Sequence, residues 1–136
     1  MGGGGLIAGI AAHWAGRVQV VALEPELAPT LHAALAAGQP VDVTVGGVAA
    51  DSLGAKRIGD ICWGVAQTAI ASSLLLPDTA IRAAQLSLWR ELKLAVEPAA
   101  ALGLAALQTG VYVPRLDEKV CLVLCGANID AASLNG

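Results

Sequence analysis

The sequence predicts an α/β protein with an open, mostly parallel sheet flanked by helices. Helix-like and strand-like segments alternate along the 136 residues, and the strand-like runs are short and almost wholly apolar, as in buried parallel strands. Hydrophobic residues make up 56% of the chain and charged residues only 14%, so most of it must be buried. The order helix, strand, repeated four times, is typical of such a sheet.

The first half is expected to contain two helices and two extended segments. Residues 6–15 read as a helix, and residues 18–23 form an apolar run of strand length that Glu24 and Pro25 are expected to end. A second helix is predicted from Pro29, which suits a first turn, to a stop near Gly38. The alternating residues 41–45 indicate an edge strand or an extended connection.

The second half continues the alternation. The predicted segments are a loop over 51–60, a helix around 61–67, a strand over 73–76, a helix over 79–93, a buried helix over 99–107 and a strand over 119–124. The helix over 79–93 carries an apolar stripe at helical spacing, made of Ile81, Ala84, Leu88 and Leu92. Pro77 and Asp78 are typical of a strand exit into a helix start.

Composition excludes several classes of function. The net charge of −3 and the lack of a basic run argue against a nucleic-acid surface, and no apolar stretch approaches the ~20 residues of a membrane span. Cys62, Cys121 and Cys125 make an odd count without a CxxC pair, which suits a reducing compartment and predicts no metal site. A cytoplasmic protein is expected, with the oligomeric state open and a homo-oligomer among the possibilities.

Four glycines, Gly2, Gly3, Gly4 and Gly5, run directly into the first predicted helix. Glycine has no Cβ, so this backbone can approach a ligand closely, and the free amides of a helix start favour an anion. The segment is therefore a candidate phosphate-binding turn. A flexible N-terminal tail is the alternative, since glycine runs also form linkers.

One interpretation of this turn is a dinucleotide site. Gly3, Gly5 and Ala8 satisfy GxGxxA, and Glu24 follows about twenty residues later, where a ribose-binding acid would lie. The match is short, and no strand precedes the turn in this sequence.

A second interpretation comes from longer segments. GGGGLIAGIA, VVALEPELAPTLHAALAAG, GGVAADSLGAKRIGD, VEPAAALGLAAL and VCLVLCGAN resemble, in this order, segments of the serine/threonine dehydratases. These belong to the tryptophan-synthase-β-like group of pyridoxal-phosphate enzymes, of fold type II. The resemblance runs from Gly2 to Asn128 and covers roughly the second half of such an enzyme. It implies that residues 1–136 are a single partial domain, the C-terminal portion of the large cofactor-binding domain.

The resemblance implies a set of residues that bind pyridoxal phosphate: Gly2, Gly3, Gly4, Gly5, Leu6, Gly47, Glu97 and Cys125. The glycine turn would hold the cofactor phosphate with backbone amides. Gly47 would lie beside the cofactor ring, Glu97 close to it, and Cys125 would bond the pyridine nitrogen. A thiol does not keep that nitrogen protonated as a carboxylate would, which suits β-elimination of serine or threonine to a 2-oxo acid and ammonia.

The sequence departs from the family in ways that bear on catalysis and on metal binding. The Schiff-base lysine of the family stands in an S-x-K-x-R-G-A-like context that this sequence does not contain, and Lys56, Lys93 and Lys119 have other surroundings. No catalytic residue is therefore assigned, and the chain alone is expected to be inactive. The optional cation site of the family would use Glu24 and Ala28, but Thr30 replaces an acid, so no metal is expected.

Three interpretations stay open on the sequence. They are a portion of a dehydratase-like lyase that acts on a small amino acid, a non-catalytic remnant of one, and a dinucleotide-binding module that uses Gly3, Gly5, Ala8 and Glu24. The choice between serine and threonine, and between dehydratase and racemase, is likewise open.

Overall fold

The computed structural model describes residues 1–134, and its elements alternate between helices and strands. In chain order they are α1 (Gly5–Trp14), β1 (Val21–Pro25), α2 (Thr30–Ala37), α3 (Ala50–Leu53), α4 (Asp60–Ala69), β2 (Ser72–Leu76), α5 (Asp78–Leu92), a 3-10 helix (Pro98–Ala101), α6 (Leu102–Gln108) and a second 3-10 helix (Ala131–Leu134). The predicted α/β class is confirmed, and none of these helices is long and apolar enough to cross a membrane.

The sheet consists of β1 and β2, which pair in parallel with Val21 opposite Ser72 and Pro25 opposite Leu76. Parallel neighbours need a long crossover, which α2, α3 and α4 supply here. The first strand ends at Glu24 and Pro25 as predicted, although both residues belong to it, and it begins at Val21 rather than at residue 18. Pro25 is tolerated because it occupies the last position of the strand.

Two predicted extended segments do not form strands in the described residues. Residues 41–45 form an extended connection, which was one of the two predicted outcomes, and not an edge strand. The Val43 N–H anchors this segment by donating to the Lys56 carbonyl oxygen at 2.8 Å. The strand predicted over 119–124 is wrong for this structure, since no backbone N–H of residues 119–125 donates to a carbonyl within residues 1–134. An apolar run becomes a strand only beside a hydrogen-bonding neighbour, and Val120 and Val123 are left 40% and 54% exposed.

The helices that flank the sheet agree closely with the predictions. The observed bounds of α1, α2, α5 and α6 lie within one or two residues of those predicted, apart from the first turn of the last one, which is the 3-10 helix Pro98–Ala101. Gly38 ends α2 with a positive φ of 68°, as expected of a C-terminal glycine. The short helix α3 was not predicted, because its sequence ADSL lies in a polar stretch without helical periodicity.

Two apolar clusters lie on opposite faces of the sheet. Ala22 belongs to one cluster and Leu23 packs against the other, and successive side chains of a strand point to opposite faces. The first cluster joins α2 and α4 to β1, with Leu31 and Ala66 at its centre. The second joins α5 and α6 to β2; its buried members are Leu76, Ile81, Ala84, Leu88, Val96, Ala100, Ala101, Leu102, Ala105 and Ala106.

We expect Ile81→Ala to lower the free energy of unfolding by about 2–5 kcal/mol, because Ile81 is fully buried and its truncation leaves a cavity. Ile61→Ala is the matched control, since the same change falls on a helix residue that is 85% exposed, and should shift stability by less than about 0.5 kcal/mol. Urea unfolding followed by circular dichroism measures both. Equal losses at the two positions would contradict the assigned core.

Candidate cofactor site

The glycine turn leads directly into α1. Gly2 and Gly4 have positive φ angles of 58° and 94°, and the first helical hydrogen bond runs from the Ala8 N–H to the Gly4 carbonyl oxygen at 2.9 Å. The N–H groups of residues 5–7 have no backbone acceptor within the described chain, and the first turn of α1 contains no acidic side chain. Nothing lies within 4 Å of a Cβ placed on Gly5. The turn thus presents free amides to open space, as a phosphate requires.

Neighbouring segments hold the turn from behind. The Gly59 N–H donates to the Gly3 carbonyl oxygen at 3.3 Å, which ties the turn to the start of α4. A Cβ on Gly4 would lie 2.9 Å from the Cβ of Cys62, so the α4 side of the turn is closed to any larger residue. These contacts lie on the α4 side of the turn, whereas Gly5 and Leu6 at the start of α1 are exposed.

The Met1 amino group connects the turn to the sheet. It donates to the Leu23 carbonyl oxygen at 3.2 Å. Burial lowers the pKa of this amino group, while the charges of Glu24 and Cys125 oppose that change. A Cβ placed on Gly2 would lie 3.5 Å from the Cα of Leu53, so the glycine turn also lies against α3, the short helix that follows Gly47.

Glu97 and the segment after Cys125 are in direct contact. The Glu97 N–H donates to the Gly126 carbonyl oxygen at 3.1 Å. Gly126 has a φ of 94°, and a Cβ there would overlap the Glu97 carboxylate. The two predicted residues Glu97 and Cys125 are therefore brought together, and the Cys125 thiol is free and exposed.

Gly47 lies in a turn whose neighbouring residues form hydrogen bonds with residues just beyond both strands. The Gly46 N–H donates to the Leu27 carbonyl oxygen at 2.9 Å, just beyond β1. The Val48 N–H donates to the Asp78 Oδ2 at 2.9 Å, at the start of α5 and just beyond β2. The sequence predicted Asp78 only as part of a helix start, because a contact across 30 residues leaves no local pattern.

A groove of about 320 Å³ lies between these segments. Its wall includes Val48, Pro98 and Asn128, which are next to Gly47, next to Glu97 and in the turn that follows Cys125. The groove is therefore lined by sequence neighbours of three residues that the resemblance implied, while Gly47, Glu97 and Cys125 themselves are not among its lining residues. Such a convergence of polar turns around a concavity is typical of a ligand site.

Glu24 has a structural role that its position in the sequence did not reveal. Its side chain is fully buried, and its carboxylate accepts hydrogen bonds from the Leu31 N–H at 2.9 Å, the His32 N–H at 2.8 Å and the Ser73 hydroxyl at 3.1 Å. It therefore caps α2 from within the preceding strand. A ribose cannot reach a fully buried carboxylate, so the role that the dinucleotide interpretation gives to Glu24 is incompatible with this structure.

The remaining residues that the sequence brought into question are Thr30 and the three lysines. The Thr30 hydroxyl donates to the Ala55 carbonyl oxygen at 2.8 Å. Lys56 and Lys119 are exposed, and the Lys93 ammonium donates to the Arg90 carbonyl oxygen at the end of α5. Within residues 1–134 no group of three or more His, Cys, Asp or Glu side chains is arranged to hold a metal ion.

Comparison with known proteins identifies the family. The sequence model described as "Pyridoxal-phosphate dependent enzyme" matches residues 1–126, so this chain belongs to that family, whose members depend on pyridoxal phosphate. The chain is 35% identical to the phenylserine dehydratase of Ralstonia pickettii, over 98% of this chain and 42% of that protein. It is 34% identical to the biosynthetic L-threonine dehydratase of Escherichia coli, over 96% of this chain and 26% of that protein.

Solved structures agree with this assignment. A threonine deaminase of T.th. superposes with a TM-score of 0.84 at 31% identity, over 96% of this chain and 47% of that one. Maize serine racemase superposes with a TM-score of 0.85 at 31% identity, over 98% of this chain and 43% of that one. The predicted resemblance and fold type are confirmed, and the chain spans less than half the length of each of these relatives.

We expect Gly126→Ala to lower the free energy of unfolding by about 1–3 kcal/mol, because the new methyl group meets the Glu97 carboxylate and the residue has a positive φ. Gly9→Ala is the control, since nothing lies within 4 Å of its Cβ position inside α1. It should stabilise the chain by about 0.5–1 kcal/mol. Thermal unfolding distinguishes them, and a neutral Gly126→Ala would contradict the Glu97–Gly126 contact.

Proposed function

We propose that this chain forms the phosphate-binding side and the pyridine-ring side of a pyridoxal-phosphate site in a lyase of the serine/threonine dehydratase type. The observation that carries the proposal is that residues next to Gly47 and Glu97 and in the turn after Cys125 line one groove, while the glycine turn packs on α3, which follows the Gly47 turn. Family membership supports the identity of the cofactor.

The glycine turn supplies the phosphate contacts in this proposal. Gly2, Gly3, Gly4, Gly5 and Leu6 bring backbone amides and the positive end of the α1 dipole to one open point. The absence of an acidic residue from the first turn of α1 leaves nothing there to repel a dianion. The residues present therefore fit a phosphate group.

The opposite end of the site is formed by Gly47, Glu97 and Cys125. The Cys125 thiol, which is free and exposed, would contact the ring nitrogen without fixing a positive charge on it. Glu97 holds Gly126 through its backbone N–H and its carboxylate, and the Gly47 backbone would lie beside the ring. Bound pyridoxal phosphate withdraws electrons from the substrate Cα. A weakly polarised ring suits a reaction that quickly expels a β-hydroxyl group.

The substrate class we propose is a small β-hydroxy amino acid, serine or threonine, converted to a 2-oxo acid and ammonia. Support comes from the names of the relatives, which are dehydratases of phenylserine and threonine. The maize relative is a serine racemase, so racemisation of the same substrate class is the second candidate.

We also propose that the protein acts in the cytoplasm, has no nucleic-acid partner and contributes to a homo-oligomer.

The aldehyde of the cofactor is not expected to attach to Lys56, Lys93 or Lys119. Each is exposed or located at the end of a helix, away from the groove, and none stands in the sequence context of the family lysine. We therefore assign no catalytic residue to this chain. Borohydride reduction with pyridoxal phosphate, followed by peptide mass spectrometry, should find no stoichiometric adduct on these lysines; one that forms would contradict this part of the proposal.

Binding of pyridoxine 5′-phosphate, which has no aldehyde, tests the phosphate site directly. We expect saturable binding by the full chain and a loss of about tenfold or more in Gly5→Asp, since a carboxylate among the free amides repels the phosphate. An acid in the first turn is favourable for the helix itself, so stability should be retained. Equilibrium dialysis and thermal unfolding measure the two effects.

Gly9→Asp is the matched control, because it adds the same charge one turn further along α1 at an exposed position. It should weaken binding by less than about threefold if the ligand lies at the helix start, where the dipole effect is concentrated. Equal losses in Gly5→Asp and Gly9→Asp would contradict the phosphate-binding turn. No saturable binding by the wild-type chain would contradict the site as a whole.

A further inference from the structure

We propose that Asp78 is a positioning residue that holds the Gly47 turn in the conformation that faces the cofactor. The inference rests on the proposed cofactor site and goes beyond it, since neither the glycine pattern nor the family resemblance singled out Asp78 for this role. It assigns a task to a carboxylate that would otherwise be only the first residue of α5.

Two contacts join Asp78 to the turn. Its Oδ2 accepts a hydrogen bond from the Val48 N–H at 2.9 Å. Both oxygens lie against the α-carbon of Gly47, because a Cβ placed there would lie 2.5 Å from Oδ2 and 2.9 Å from Oδ1. With a φ of 82°, Gly47 therefore has one side covered by the carboxylate and only the other side available to a planar ring.

Within the described residues, the position of the Asp78 carboxylate is not explained by hydrogen bonds to both of its oxygens or by an ion pair. Oδ1 is buried and has no hydrogen-bond partner in the described structure, an arrangement that costs free energy. Arg82, one turn along α5, is the cation nearest in sequence on the same helix. Its guanidinium instead donates to the Gln85 side chain and to the Ser133 carbonyl oxygen.

The same arrangement occurs at the other turn of the site. Glu97 precedes a 3-10 helix as Asp78 begins α5, and its carboxylate occupies the space where Gly126 would carry a Cβ. Each of the two turns proposed to face the ring thus has a glycine of positive φ that is backed by a carboxylate. This recurrence favours a positioning role over an incidental contact.

The experiment uses the full chain with Asp78→Ala and Asp78→Asn. Asp78→Ala removes the acceptor, so the Val48 amide proton should exchange with solvent about tenfold faster, and pyridoxine 5′-phosphate should bind about tenfold more weakly, a size typical of losing one charge-assisted hydrogen bond. Asp78→Asn keeps one oxygen for the Val48 N–H and should restore both values to within about threefold of wild type.

Asp60→Ala is the control for the exchange measurement. Asp60 is also the first residue of a helix, and its loss removes the same charge and the same favourable dipole interaction. It should leave the exchange rate of the Val48 amide unchanged, because the described structure gives it no contact with that turn. Exchange is read by two-dimensional NMR, and affinity by dialysis.

Three results would overturn the inference: unchanged Val48 exchange in Asp78→Ala, unchanged affinity in that variant, or a folded Asp78→Asn that loses as much affinity as Asp78→Ala. If Asp78→Ala does not fold, the Asn variant alone decides. Failure of wild-type pyridoxine 5′-phosphate binding would instead overturn the proposed function. In that case the exchange rates still decide whether Asp78 holds the turn.

Discussion

The parallel pairing of β1 with β2 is the interaction on which the positions of the Gly47 turn and the glycine turn depend. It brings the ends of both strands to one edge, so that Leu27 after β1 and Asp78 after β2 hold the turn around Gly47 from two sides. The Met1 amino group binds the carbonyl oxygen of Leu23 in β1, which attaches the glycine turn to the same sheet. In open α/β sheets ligands bind at this edge, because the loops that leave parallel strands meet there.

Three carboxylates perform two different tasks around this edge. Glu24 joins β1 to the start of α2 and to Ser73 of β2, and all its contacts are internal. Asp78 and Glu97 instead lie against Gly47 and Gly126, where a Cβ would overlap their carboxylates. The distinction cannot be made from residue type, since all three are single acids near the ends of apolar runs. It follows from burial, because a fully buried carboxylate whose oxygens accept three internal hydrogen bonds is out of the reach of a ligand.

The limits of sequence reasoning are clearest at residues 119–124. Their composition is that of a central strand, yet strand formation requires a paired neighbour, and β1 and β2 pair only with each other in the described residues. The pattern of apolar residues indicates what kind of element a segment can form, but it does not show which segment lies beside it. The helices were predicted well for the opposite reason. The hydrogen bonds of a helix are local, so spacing and end signals such as those of Ile81, Ala84 and Gly38 are sufficient.

The sequence by itself determined the α/β class, the five longer helices, the glycine turn at the start of α1, and the family, because these depend on local pattern and on the order of motifs. Only the tertiary structure decided that Glu24 is a buried cap, that Asp78 contacts Gly47, and that Glu97 lies under Gly126. Each of these is a contact between residues distant in the chain. Such contacts depend on how the helices pack on the sheet, which no local pattern records.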